Sequence, residues 1–195
     1  TADASMAASH YSTIRYTWEG QDVQSIKKGT ANAQPVTLSF WVKSTKTGTF
    51  INTLYDGDNN RNCSQAYTIS STNTWEKKVV NFPADTTGVM DSDNAASLYL
   101  NFYTSAGSNY TSGTLATTWE SYVAANEAVG QVDNGDNTSN NFHIAGVQLE
   151  VGEYTSADLP PFRFESYGDN LHRCQRYFYR LAGNASDEVI IPMNS

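Results

Sequence analysis

Residues 36–44 read VTLSFWVKS. Val36, Leu38, Phe40 and Val42 alternate with Thr37, Ser39, Trp41 and Lys43. A period of two sends successive side chains to opposite faces of a strand, so one face of this segment is apolar and the other mixed. Its neighbours repeat the pattern. TGTFINTLYD (47–56) follows a glycine-containing turn and reads as a hairpin partner. In 12–19, Ile14, Tyr16 and Trp18 alternate with Thr13, Arg15 and Thr17. QAYTISS (65–71) and TWEKKVVNF (74–82) are two further strands. SLYLNFYTS (97–105) sends Leu98, Leu100 and Phe102 inward and Tyr99, Asn101 and Tyr103 outward. NFHIAGVQLEVG (141–152) is the last strand of the sheet, and its Gly146 points to a bulge or a close backbone approach. Seven strands with little helix predict an all-β chain, a two-sheet jelly-roll sandwich over 11–152. Residues 1–10 are small and polar, a flexible or draped N-terminal segment. TWESYVAANEA (118–128) has Trp119, Tyr122 and Val123 at helical spacing, with Thr118 as a cap.

The segment 153–195 differs. Leu159-Pro160-Pro161 forces extended backbone and stops pairing. PFRFESYGDNLHRCQRYFYR then loses the period of two, and Ser166 to Phe178 reads as a short helix presenting Leu171, Cys174 and Tyr177. We expect 153–195 to be a linker and oligomerisation segment. The chain opens at Thr1 rather than Met, and an apolar VIIP (189–192) lies near its end; both suggest a piece of a longer polypeptide with a distal domain.

Composition narrows the function. The chain has 195 residues, a net charge of −8 and only 16% charged residues. A nucleic-acid binder needs Lys and Arg to replace counterions, so that class is not expected. No apolar run approaches the ~18 residues of a membrane span, so membrane insertion is not expected either. The 12 Tyr, 8 Phe and 4 Trp sit among Thr, Ser, Asn and Gly. That mixture suits strands that recognise polar ligands on flat rings. Two cysteines, Cys63 and Cys174, are too few for a disulfide scaffold.

VQLEVGEYTSADLPPFRFESYGDNLHRCQRYFYR (147–180) resembles a segment that recurs in structural proteins of marine tailed phages, where a β-sandwich ends in a QLE…G stretch and continues to CQRY. WEGQDVQSIKKGTANAQPVTLSFWVKS (18–44), TGTFINTLYD (47–56) and STNTWEKKVVNFPADTTG (71–88) fit the same pattern, so the resemblance runs from about Tyr16 to Tyr179. YTSADLPPF is longer than the family's usual link. The resemblance implies a virion appendage protein such as a tail fibre, spike or capsid fibre, with other virion proteins as partners. The sandwich portion also looks like the jelly-roll carbohydrate-binding modules of polysaccharide-degrading enzymes. A purely structural decoration protein is a third reading.

Four sets of residues are candidates for function. Trp41, Tyr99, Asn101, Tyr103 and Gln148 lie on non-core strand faces. There, rings stack on sugar C–H faces while amides meet hydroxyls of a host surface glycan. The same residues become ordinary core if loops or a second subunit cover that face. Asp56 and Asp58 in DGDNN, and Asp133 and Asp136 in DNGDN, are oxygen donors of the kind Ca²⁺ takes, though such runs also serve as plain turns. Phe162, Phe164, Tyr167, Arg173, Arg176, Tyr177 and Tyr179 combine residue types enriched at protein interfaces. They would hold a homotrimer about a threefold axis, or else pack on the sandwich's own end. No catalytic motif is present: His10, His143 and His172 form no metal-ligand spacing, and acid pairs such as Glu120 and Glu127 occur in any sandwich.

Overall fold

The structure is a computed structural model and describes residues 2–3, 5–176, 180–182 and 188–190. The chain divides into two compact units, Thr1–Pro160 and Pro161–Ser195.

The first unit is an all-β sandwich. Its strands are β1 (Tyr11–Glu19), β2 (Val36–Ser44), β3 (Gly48–Asp56), β4 (Arg61–Ile69), β5 (Glu76–Phe82), β6 (Ala96–Ala106), β7 (Glu120–Ser121) and β8 (Phe142–Val151). One sheet has the order β1-β6-β3-β4-β7 and the other β5-β2-β8. Every pairing is antiparallel. The quoted stretch is the central strand of the smaller sheet. Leu38, Phe40 and Val42 are wholly buried between the sheets, with Phe50 and Leu54 from β3, Ile69 from β4 and Leu98 and Leu100 from β6. The Phe40 ring meets both Phe102 and Tyr67 edge-on with centroids 5.0 Å apart. Each such side chain contributes about 1.5–3 kcal/mol by leaving water.

Gly146 sits at φ +57°, opposite a register shift between Ser39 and Trp41. A Cβ there would lie 3.4 Å from the Trp41 ring. The glycine therefore supplies both the bulge and the close approach that its place in the strand suggested.

Two features differ from the expectation. β4 begins at Arg61 rather than Gln65, so DGDNN is a tight turn between paired Asp56 and Arg61. Residues 118–128 form no α-helix; β7 and a 3-10 turn at Ala124–Asn126 replace it. Helical spacing misled because Trp119 and Tyr122 serve different layers. Trp119 packs against the core and its indole donates to the Pro83 carbonyl at 2.8 Å. Tyr122 lies over the outer face of the larger sheet, as described below. The N-terminal segment is fastened down: Asp3 N–H donates to Gly135 O, Asn109 N–H to Ala8 O and Gly107 N–H to His10 O. The sandwich also runs on past Gly152, because Thr37 Oγ1 accepts from the Tyr154 amide at 3.0 Å and Asn81 Nδ2 donates to Tyr154 O at 3.1 Å.

A buried charge cluster lies at one end of the core. The Lys28 ammonium meets Asp56 Oδ2 at 2.5 Å and Asp85 Oδ2 at 3.0 Å, and donates to the Thr87 and Gly88 carbonyls. It lies 4.9 Å from the Trp119 ring centroid. Arg61 grips Asp85 through Nε and Nη2 at 2.8 and 3.2 Å. Burial pushes the Asp85 carboxyl up, but hydrogen bonds from Arg61, the Thr87 amide and Lys28 together hold it below the usual carboxylate range. A depressed pKa means stability present above the unfolded value of about 3.9 and lost as pH falls through the folded one.

In the second unit, α2 (Tyr167–Gln175) is capped by Ser166, whose hydroxyl accepts from the Asp169 amide. β9 (Arg180–Ala182) and β10 (Glu188–Ile190) pair antiparallel.

Removing one partner of a buried ion pair costs about 3–5 kcal/mol. Lys28→Met is expected to lower unfolding stability by that much in urea. Adding Asp56→Asn should recover part of the loss, since one uncompensated charge is then gone. Equal stability of wild type and Lys28→Met would show that the cluster contributes nothing.

Candidate functional site

The alternation along β1, β6, β3 and β4 sets three cross-strand rows on the outer face of the larger sheet. They are Thr13–Tyr103–Ile51–Ala66, Arg15–Asn101–Thr53–Ser64 and Thr17–Tyr99–Tyr55–Asn62. Residues 107–132, which include the short α1 (Ser108–Thr111), fold over part of this face. The Ser64 amide donates to Ala116 O and the Val132 amide to Thr49 O, which ties the cover to β4 and β3. Ala128 packs against Ile51 and Tyr103, with Ala106, Tyr110 and Leu115 beside them. The outer face thus carries a second, smaller core.

Where the cover stops, a cleft of about 190 Å³ opens, lined by Tyr11, Arg15, Tyr55, Asn101, Tyr103, Tyr110, Tyr122 and Glu127. Its rings brace one another. Tyr11 meets Tyr110 edge-on at 4.9 Å, and Tyr55 meets Tyr122 edge-on at 5.4 Å. The Arg15 guanidinium lies 5.2 Å from the Tyr99 centroid, and its Nε donates to Asn101 Oδ1 at 2.8 Å.

Glu127 is 5% exposed, and Tyr122 Oη donates to its Oε2 at 2.9 Å. Burial raises its pKa, opposed by hydrogen bonds from Tyr103 and Tyr122 and by the charge of Arg15. Desolvation and then Glu127 push the Tyr103 and Tyr122 hydroxyls up as well. These phenols therefore stay protonated and act as hydrogen-bond donors rather than bases. Among the described residues, Glu127 is the one carboxylate lining the cleft. Glu120 accepts from Asn126 Nδ2 at 2.8 Å instead of facing it. Rings, hydroxyls, an amide and a guanidinium together suit capture of a polyhydroxylated ligand.

The candidate platform residues do not form one surface. Asn101 and Tyr103 line this cleft, and Tyr99 stands next to Arg15. Trp41 and Gln148 belong to the smaller sheet, since β2 and β8 pair with each other and not with β6. Trp41 is 44% exposed on that sheet's outer face, while Gln148 donates to Glu150 Oε1 and to Pro160 O. A shared outward phase in two strands did not place them on the same side. Arg15, Tyr11, Tyr55, Tyr110, Tyr122 and Glu127 were not singled out as binding residues. Arg15 was legible as outward-facing on its strand, but its neighbours depend on which strands pair.

The carboxylates considered for Ca²⁺ have other partners. Asp56 holds Lys28 and the Asn59 amide, and Asp58 accepts from the Asp91 amide. Asp133 accepts from the Gly135 amide, and Asp136 pairs with Lys46 and Asn140. Among the described residues, no three His, Cys, Asp or Glu side chains converge as a metal site. Lysine ammonium groups pair with Asp56 and Asp136, while Asp58 and Asp133 accept from backbone amides.

In the second unit Phe164 and Tyr167 are 90% and 81% exposed, and Phe162 meets Phe164 edge-on at 4.9 Å. Arg173 pairs with Glu165 at 3.0 Å, and the Arg176 amide donates to Arg173 O. Tyr177 and Tyr179 lie outside the described residues. Compared with known proteins, the chain matches no family model, no curated protein and no solved structure.

Glu127 gives a pH test. A carboxyl with a raised folded pKa favours folding below its unfolded value, about 4.3, and that advantage is lost as pH rises through the folded one. Glu127→Gln keeps an acceptor without the charge. Its melting temperature relative to wild type should therefore rise between pH 4 and pH 7. A difference independent of pH would mean that the carboxylate bears no desolvation cost.

Proposed function

We propose that this chain is a subunit of a phage virion appendage, a tail fibre, spike or capsid fibre, whose sandwich binds a host surface glycan. The observation that carries the glycan half is the tyrosine-lined cleft on the outer face of the larger sheet. Its rings are braced by their neighbours, so ligand binding orders few side chains, which favours affinity. Its polar groups are those that meet sugar hydroxyls. The resemblance of 147–180 to phage structural proteins supports the appendage half. So do the aromatics of the second unit: Phe164 and Tyr167 leave large apolar surface in water, of the kind that subunit contacts cover.

A carbohydrate-binding module of a polysaccharide-degrading enzyme uses the same cleft without the assembly. The oligomeric state separates the two readings. Light scattering after size exclusion should give the full chain three times its 21.4 kDa mass. A variant carrying Phe164→Ser and Tyr167→Ser should give a single mass. A monomeric wild type would favour the enzyme module.

Binding is tested by titrating oligosaccharides and following tyrosine and tryptophan fluorescence. Tyr11→Ala should weaken affinity about tenfold, the share of one stacked ring and its hydroxyl. Its melting temperature should change little, because Tyr11 is about half exposed. Unchanged affinity would move the binding surface elsewhere.

A further inference from the structure

We infer that the saccharide this cleft takes is acidic, with its anionic group seated on Arg15. The inference rests on the glycan reading and adds the class of sugar.

Arg15 is pre-positioned. It rises from β1 beside Asn101, its Nε is held by the Asn101 side chain at 2.8 Å, and its guanidinium stands against the Tyr99 ring. Those contacts fix the plane of the group and use one of its five N–H donors. No other hydrogen bond from the guanidinium is made among the described residues, and no carboxylate lies within ion-pair distance. Five other cations are neutralised by direct ion pairs: Arg61 by Asp85, Lys28 by Asp56 and Asp85, Lys46 by Asp136, Lys78 by Glu76 and Arg173 by Glu165. An oriented guanidinium with open Nη donors, at the lip of an aromatic cleft, matches the two oxygens of a carboxylate or sulfate.

Glu127 feels the charge of Arg15 but makes no ion pair with it among the described residues. It is buried, and it receives the hydroxyls of Tyr103 and Tyr122. The cleft therefore has two ends. The Glu127 and tyrosine end suits neutral sugar hydroxyls, and the Arg15 end suits an anion. A uronic acid residue joins both chemistries in one ring, with hydroxyls on one edge and the carboxylate on the other. A sulfated sugar presents the same charge through an ester.

The test is calorimetric titration of the full chain with three probes of matched length: an oligogalacturonate, a sulfated galacto-oligosaccharide and a neutral xylo-oligosaccharide. The expected result is binding of an acidic probe, weakened by salt, and lowered about tenfold or more by Arg15→Gln. Arg15→Lys should give an intermediate loss, since it keeps the charge without the fork. Lys43→Gln, on the opposite outer face, should leave binding unchanged. Which acidic probe binds identifies carboxylate or sulfate. Preferential binding of the neutral probe, unaffected by Arg15→Gln, overturns the acidic assignment and leaves the glycan reading standing. Failure of all three probes overturns both.

Discussion

A single buried ammonium ties the sandwich together at one end. Lys28 follows a 3-10 turn, Gly20–Ile26, after β1. Its partners come from the end of β3 and from residues 85–88 in the long connection between β5 and β6. Three distant stretches meet on one nitrogen. Only the β3 residue has regular structure at that point, so apolar packing alone has little to grip. The geometry makes the cluster sensitive to its parts: the charges offset each other only together. Asp56 also sets the turn that starts β4, and Asp85 is held from the other side by Arg61 at the first position of that strand. The pairing of β3 with β4 is thereby anchored one residue from Tyr55, a wall of the cleft.

The cleft depends on an economy of layers. A sheet buried on one face has its other face to place somewhere. Here part of that face is roofed by residues 107–132, which generate a small second core around Ile51, Tyr103 and Ala128. The unroofed remainder keeps Arg15 and its rings. Concavity arises at the border between roofed and open sheet, without any helix or inserted domain. The buried acid at the border is hydrogen-bonded by phenols, and the charge of Arg15 acts on it without an ion pair. That keeps Arg15 available, and it keeps the tyrosine hydroxyls as donors.

Much of this was legible from alternation alone. The phase of VTLSFWVKS and of SLYLNFYTS assigned inner and outer residues correctly, because a period of two leaves few choices where one face is apolar. The bulge at Gly146 was legible because a glycine interrupts a strand there. What alternation does not encode is which strands share a sheet. Trp41 and Tyr99 both point outward, yet on opposite sides of the molecule, and only the order β1-β6-β3-β4-β7 separates them. The cover over the outer face was missed because its residues follow no period. Trp119 enters one core while Tyr122, three positions on, borders another, which imitates helical spacing. Lys28 was missed because a lysine in a polar stretch looks like surface; its burial is decided by aspartates far away in sequence.

The two cysteines end up in different worlds. Cys63 on β4 is wholly buried, and burial pushes its thiol up to about 12, while Cys174 on α2 is exposed. Since thiolate is the reactive form, an alkylating reagent meets one competent sulfur per folded chain. Modification of the second sulfur then requires the sandwich to open. The protein carries its own two-colour reporter: one thiol to attach a probe, and one whose slow labelling measures how often the β-core comes apart.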